Sequence, residues 1–249
     1  MKLKSSNQVL LRGVNAVRNA VGSPISNPIV ENIHISCKDG KILFMATNLN
    51  LTIRCEGEIE VEEPGEILLP SSVITNVVQD LPQGDVYFEA HEENVSIICG
   101  KFKAKMKGQS GELYPQFIEV EDGEEFNLPN LQIKEIIKKT IFSTTSSKSR
   151  YELNGVMFDN KEDGMTFVAS DGRRLSVYEM KIEDLSGKKV RSLIPEKTLQ
   201  EVLRILPDEG EVNIRITERK VQFHSGDVDI ISNLLKDNFS INHITLQFE

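Results

Sequence analysis

A hydrolytic centre needs a nucleophile, a base and a group that orients the base; a metal centre needs ligands at short, regular spacing. The four histidines, His34, His91, His224 and His243, share no metal-ligand spacing. Asp171, or a nearby aspartate, with His224 is the best acid–base pair on offer, but no nucleophile stands at a recognisable spacing. No glycine-rich phosphate loop occurs either. Cys37, Cys55 and Cys99 are odd in number, lie far apart and include no C-x-x-C, which reads as buried reduced thiols. No catalytic residue, metal site or cofactor is expected. The chemistry left is non-covalent contact with phosphate. The stretch Ser143–Tyr151, S-T-T-S-S-K-S-R-Y, contains no acid. Ser147, Lys148 and Arg150 can touch phosphate there, and Tyr151 can stack on a base. An ordinary surface loop is the competing reading.

Net charge is −9, with acids outnumbering bases 38 to 29, which argues against wrapping nucleic acid unless the charge is segregated. The polar faces of the helices decide whether it is. The spacing predicts a helix over Ser6–Val21, with Val9, Leu10, Val14, Val17 and Val21 inward and Gln8, Arg12, Asn15 and Arg18 outward. A second, Pro70–Leu81, exposes Ser72, Thr75, Asn76 and Gln79. A third, Gln132–Phe142, turns Ile133, Ile136, Ile137 and Ile141 inward and places Lys134 and Lys138 on one outward face. A fourth, Pro195–Leu206, turns Leu199, Val202, Leu203 and Leu206 inward and Lys197, Gln200, Glu201 and Arg204 outward. These helices carry four acids, Asp80, Glu135, Glu196 and Glu201, while most carboxylates fall in turns and strands. An acid-poor helical side suits a phosphate backbone held loosely, without base reading. A chance distribution of solvated charges fits the pattern as well.

The helices belong to a plan used twice. Leu68–Val86 and Leu193–Val212 share an apolar run, a proline opening a helix, a Leu-Pro pair and a glycine turn into a strand; Pro70 and Pro195, like Pro82 and Pro207, stand 125 residues apart. Alternating strands are expected at Ile29–Ser36 and Lys41–Thr47 across the turn Asp39-Gly40, and at Leu51–Val61. Others are expected at Gly155–Asp159 and Thr166–Ala169 across Asp163-Gly164, and at Leu175–Ile182. Strands follow each Pro-opened helix. The acidic, turn-rich Phe117–Pro129 is the boundary, giving domains 1–125 and 126–249. Each reads as α+β, an antiparallel sheet with two helices on one face. No apolar run approaches the ~20 residues that span a bilayer, and no signal-peptide core opens the chain, so no membrane partner and a cytoplasmic location are expected.

With this plan in view, the chain resembles the bacterial sliding clamp, the beta subunit of DNA polymerase III. The resemblance rests on S-N-P-I-V-E-N-I-H-I (Ser26–Ile35), R-Y-E-L-N-G (Arg150–Gly155), A-S-D-G-R-R-L-S-V (Ala169–Val177) and the L-I-P-x-K-x-L-x-E-V-L-R-I-L unit from Leu193. It implies tandem duplicated clamp domains that encircle or track duplex DNA, helices towards the hole and sheets outside, without catalysis. It implies as partners double-stranded DNA, the replicative DNA polymerase, the clamp loader and other proteins bearing a clamp-motif peptide. The peptide cleft maps to Leu153, Ser170, Gly172, Arg173, Arg174 and Leu175: Leu153 and Leu175 offer an apolar floor, Gly172 allows close backbone approach, and Arg173 or Arg174 can hold a carbonyl or carboxylate. DNA contact maps to the loop around Ser147–Tyr151. Two arginines common on family DNA surfaces are Pro24 and Ser72 here, which implies a weaker grip in the first domain.

The family chain carries three domains, and two chains make a ring. This chain shows two copies of the plan, and its end, residues 240–249, departs from the family pattern: Tyr114-Pro115 corresponds to Phe239-Ser240. Two expectations follow: a truncated form that keeps the fold and serves as a peptide-binding module without closing a ring, which is favoured, or a ring of three two-domain chains. An interaction module with no DNA role is the remaining alternative.

Overall fold

The computed structural model describes residues 1–23, 27–112, 114–117, 119–145, 154–161, 164–185 and 188–236. The chain divides into two compact units, Met1–Ile118 with Asp227–Asp229, and Glu119–Gly226 with Ile230–Glu249.

The first unit begins with β1 (Lys2–Ser6) and α1 (Asn7–Val17), continues through β2 (Asn32–Lys38), β3 (Lys41–Thr47), β4 (Leu51–Glu58), β5 (Glu60–Glu63) and β6 (Gly65–Pro70), and then enters α2 (Ser71–Asp80). Strands β7 (Asp85–His91), β8 (Asn94–Cys99) and β9 (Phe102–Lys107) follow. The second unit repeats the order: β10 (Glu124–Pro129), α3 (Asn130–Thr140), β11 (Gly155–Lys161), β12 (Gly164–Ser170), β13 (Leu175–Met180), β14 (Arg191–Pro195), α4 (Glu196–Ile205), β15 (Glu211–Ile216), β16 (Lys220–Ser225) and β17 (Val228–Asn233). The α+β reading with antiparallel sheet and two helices per unit holds, and in each unit the strands divide between two sheets. The neighbours run β5-β1-β7-β8-β9 and β4-β3-β2-β6 in the first unit, and β10-β15-β16-β17 and β13-β12-β11-β14 in the second. The pairs β2–β3 and β11–β12 are antiparallel hairpins. Asp39 and Gly40, with φ of 50° and 79°, make the tight turn that their dipeptide signals.

Burial follows the alternation. Leu51, Ile53 and Cys55 of β4 point into the core, as do Val86, Phe88 and Ala90 of β7. Helix α1 lies close on β3: a Cβ at Gly13 would stand 2.1 Å from the Phe44 ring, so only glycine fits there. Within the first unit α1 packs on α2, and within the second α3 packs on α4. All three cysteines are free and buried.

Two expectations are corrected, and one strand was not expected at all. Pro70 and Pro195 do not sit inside their helices; like Pro129, each ends a strand and serves as the N-cap of the helix that follows, with no side-chain cap, and α3 starts at Asn130, before the expected Gln132. The missing cap is replaced by tertiary bonds at the first helical residue: Asn130 N–H donates to the Gly210 carbonyl and Glu196 N–H to the Asn154 carbonyl, both at 2.9 Å. The acidic run Phe117–Pro129 is not all turn. Its last six residues form β10, because Phe126 and Leu128 alternate inward while Asn127 faces out. The polar start of the chain likewise forms β1, with Leu3 buried between charged neighbours.

Candidate functional site

The outward side of each helix pair is where phosphate contact was expected. On α1, Arg12 is exposed and ion-pairs with Asp227, which belongs to the same unit. Arg18 follows in a 3-10 turn, half-buried, with its Nε enclosed and without a hydrogen bond among the described residues. On α2, Ser72, Asn76 and Gln79 are exposed, as expected.

Helix α3 departs from the expectation. Lys134 is buried beside Ile133 and Ile137, and its Nζ donates to Asp208 Oδ1 at 2.7 Å. It falls on the apolar stripe, so its stem packs inward and its amine reaches a carboxylate 74 residues away. The same bond holds the Asp208 carboxyl below the usual carboxylate range. Lys138 is exposed. Lys139 donates to Glu135, one turn back, at 2.5 Å and lies over the Tyr178 ring.

Helix α4 shows a second departure. Glu201 does not face out. It is buried, because its Cβ falls beside Thr198 and Val202, and its carboxylate accepts from Arg204 Nε at 2.7 Å. Lys197 and Gln200 are exposed, and Glu196 accepts from Gln200 Nε2 at 2.8 Å. Glu135, Glu196 and Glu201 are thus all engaged within their own helices, which leaves Lys138 and Lys197 as prominent cations on that side.

The stretch holding Ser147, Lys148, Arg150, Tyr151 and Leu153 lies outside the described residues. The neighbouring element, the turn between β12 and β13, is described in full. Ser170 Oγ is buried; it accepts from Gly172 N–H at 3.0 Å and donates to the Arg174 carbonyl at 2.9 Å. Asp171 Oδ1 accepts from the N–H groups of Arg173 (2.9 Å) and Arg174 (3.0 Å), and Oδ2 accepts from Arg174 Nε (2.9 Å). The Arg173 amide first, then the bonds from Arg174, hold the Asp171 carboxyl below its usual range. Gly172 has φ 85°, the left-handed region a side chain disfavours. Arg173 and Arg174 are both exposed, and Arg174 lies over the Phe142 ring, 5.6 Å from its centroid.

Beside this turn sits a closed apolar cluster. Met157, Val168 and Leu193 are buried against one another, and half-buried Leu175 and Leu235 pack on them. Leu235 is tied down by an N–H bond to the Leu193 carbonyl at 3.0 Å. Of the expected cleft residues, the structure brings Ser170, Gly172, Arg173, Arg174 and Leu175 together. Met157, Val168, Leu193 and Leu235 were not singled out from sequence, and Asp171 was named there only as one half of an acid–base pair with His224. Burial along β11, β12 and β14 runs over consecutive residues, so both sheet faces are covered there and no alternation in the sequence tells which face backs the turn. What the arrangement offers is a pair of half-buried leucines, Leu175 and Leu235, backed by a closed apolar cluster and flanked by two exposed cations, a patch suited to an extended peptide.

Comparison with known proteins gives a consistent neighbourhood. A family model described as the DNA polymerase III beta subunit, N-terminal domain, matches residues 1–140, and one for the central domain of the same subunit matches residues 127–240. The beta sliding clamp of Bacillus subtilis (strain 168) is 29% identical over 249 residues, covering 96% of this chain and 66% of its own length. That of Chlamydia trachomatis serovar D is 24% identical over 240 residues, covering 96% of this chain and 58% of its own. This chain thus spans just under two thirds of one relative and less of the other. Among solved structures, the Bacillus subtilis sliding clamp superposes with a TM-score of 0.91 at 27% identity, covering 98% of this chain and 67% of that one. A sliding clamp from Bartonella birtlesii bound to griselimycin gives 0.91 at 25%, covering 97% and 67%.

Proposed function

The chain belongs to the DNA polymerase III beta subunit family, and from that premise we propose that it is a DNA sliding clamp: a non-catalytic scaffold that tracks duplex DNA and tethers the replicative polymerase and other proteins through peptides seated in the second unit's cleft. The observation that carries the reading is the sorting of charge on α3 and α4. Their carboxylates are consumed by partners on the same helix, while Lys138 and Lys197 remain exposed. Such a side attracts phosphate without reading bases, as a protein that must slide requires. The domains proposed to act in this way are 1–125 and 126–249, with β10 (Glu124–Pro129) going whole to the second, and Ser147, Lys148, Arg150 and Tyr151 are the loop residues proposed to add to the contact.

The test is binding to a fluorescent duplex of mixed sequence as salt is varied. Lys138→Glu with Lys197→Glu should weaken binding severalfold at low salt and flatten the slope of log K against log salt by about 2, roughly 0.9 for each phosphate no longer neutralised. An unchanged slope would refute the assignment of this side. A second reading, a peptide-docking module without DNA tracking, is favoured by Leu175 and Leu235 lying half-buried on the closed cluster of Met157, Val168 and Leu193, all within one unit. The two separate on griselimycin, which the Bartonella birtlesii clamp holds: binding of griselimycin without any salt-sensitive DNA binding would select the second.

A further inference from the structure

The turn that rims the cleft has a counterpart in the first unit, and the two differ in one informative respect. In the turn between β3 and β4, Thr47 Oγ1 accepts from Leu49 N–H at 3.0 Å and donates to the Leu51 carbonyl at 3.2 Å. Asn48 Oδ1 accepts from Asn50 N–H at 3.0 Å and Leu51 N–H at 2.9 Å. Thr47, Asn48, Leu49 and Leu51 therefore do bond for bond what Ser170, Asp171, Gly172 and Arg174 do in the second unit. Leu49 even adopts φ 74°, close to the 85° of Gly172.

A neutral amide oxygen is thus enough to build this turn. The carboxylate of Asp171 has something further to do, and the extra bond shows what it is: its second oxygen takes Arg174 Nε at 2.9 Å, while the guanidinium rests on the exposed Phe142 ring. An arginine held at Nε on one side and by a ring face below loses most of its rotamer freedom. Its two terminal nitrogens make no hydrogen bond among the described residues. They are the paired donors that fit a carboxylate.

Resting on the cleft reading above, we propose that Asp171 is a positioning residue, which with Phe142 presets the Arg174 guanidinium to receive a carboxylate of the docking peptide. Binding then pays little to immobilise that side chain. The rival physical effect has the opposite sign. If Asp171 only offsets the charge of Arg174, removing its charge should strengthen the binding of an anion.

The experiment uses the full chain and two probes, acetyl-Leu-Ser-Leu-Leu with a free C-terminal carboxylate and the same peptide as its C-terminal amide, titrated by calorimetry. The wild-type protein should prefer the acid. Asp171→Asn keeps the turn, as Asn48 does, so the amide should bind as before and the acid roughly fivefold more weakly, the scale of one side chain left unfixed. Asp171→Ala, which removes the turn bonds too, should weaken both. An Asp171→Asn protein with an unchanged or stronger preference for the acid would overturn the proposal, as would equal loss for both probes or a wild-type protein indifferent between them. A wild-type protein that binds neither probe would instead bring down the cleft reading itself, and this inference with it. Thermal midpoints of all three proteins report whether the fold is intact.

Discussion

Replacing Tyr114 by Phe tests how the first unit ties its final segment to its sheet. The ring is 6% exposed, packs with Met45 and Leu68, and stacks on His34 with centroids 5.5 Å apart. Its hydroxyl donates to the Asn32 carbonyl at 3.1 Å and accepts from the Thr47 amide at 3.2 Å, and both of those residues are buried. Phenylalanine keeps the packing and removes one oxygen. Two backbone groups then lose a partner where water does not readily replace it, at about 1 kcal/mol each and more if they stay dry. A loss of about 2–3 kcal/mol is expected, a sizeable share of a domain stability of about 5–15 kcal/mol. In urea, with a slope near 2 kcal/mol per molar, the midpoint of the first unit's transition should fall by about 1 M at unchanged slope. Circular dichroism is the natural probe, since the chain has no tryptophan. A shift under about 0.2 M would refute the reasoning, because it would mean that the hydroxyl gains nothing over water.

The same hydroxyl predicts an alkaline limit. Burial pushes the Tyr114 pKa up to about 12 from 10. The unfolded chain therefore releases that proton first, and stability should fall between pH 10 and 12 by about 2–3 kcal/mol at most, a component that Tyr114→Phe should lack in urea titrations at those pH values. Leu49 offers a gain: it holds φ 74° while 55% exposed, so Leu49→Gly should relieve left-handed strain of about 1–2 kcal/mol at a cost of about 0.5–1 kcal/mol in chain entropy. A small rise in thermal midpoint is expected, and a fall would show that the leucine packs on something.

Much of this fold was legible because its signals are local. Apolar residues at helical spacing mark all four helices, Asp39-Gly40 marks a hairpin, and the proline offset marks the duplication. The strands that escaped, β1 and β10, carry few apolar residues among many charges; only Leu3 in one and Phe126 and Leu128 in the other give them away. Lys134 and Glu201 escaped for a different reason. Each sits on the edge of its helix's apolar stripe, and which way such a residue turns depends on a partner. For Glu201 the partner is three residues on, but for Lys134 it is Asp208, in a distant loop. The candidate cleft was half legible: the turn residues stand in one contiguous motif, whereas the buried cluster that backs them is assembled from β11, β12 and β14 and becomes visible only in register.

The prolines that end β6, β10 and β14 also fix the angular phase of the helices behind them. The residue before a proline is held extended, so Leu69, Leu128 and Ile194 cannot be drawn into a helix, and α2, α3 and α4 cannot extend back past the proline. A slip of one residue would rotate every side chain by about 100°. On α3 it would swing Lys138 towards the sheet and bring Lys139 or Ile137 round in its place. The outward chemistry of these helices is therefore open to change one residue at a time but not to insertion or deletion near the helix start, where a single added residue would carry part of the polar side inward and part of the apolar stripe outward.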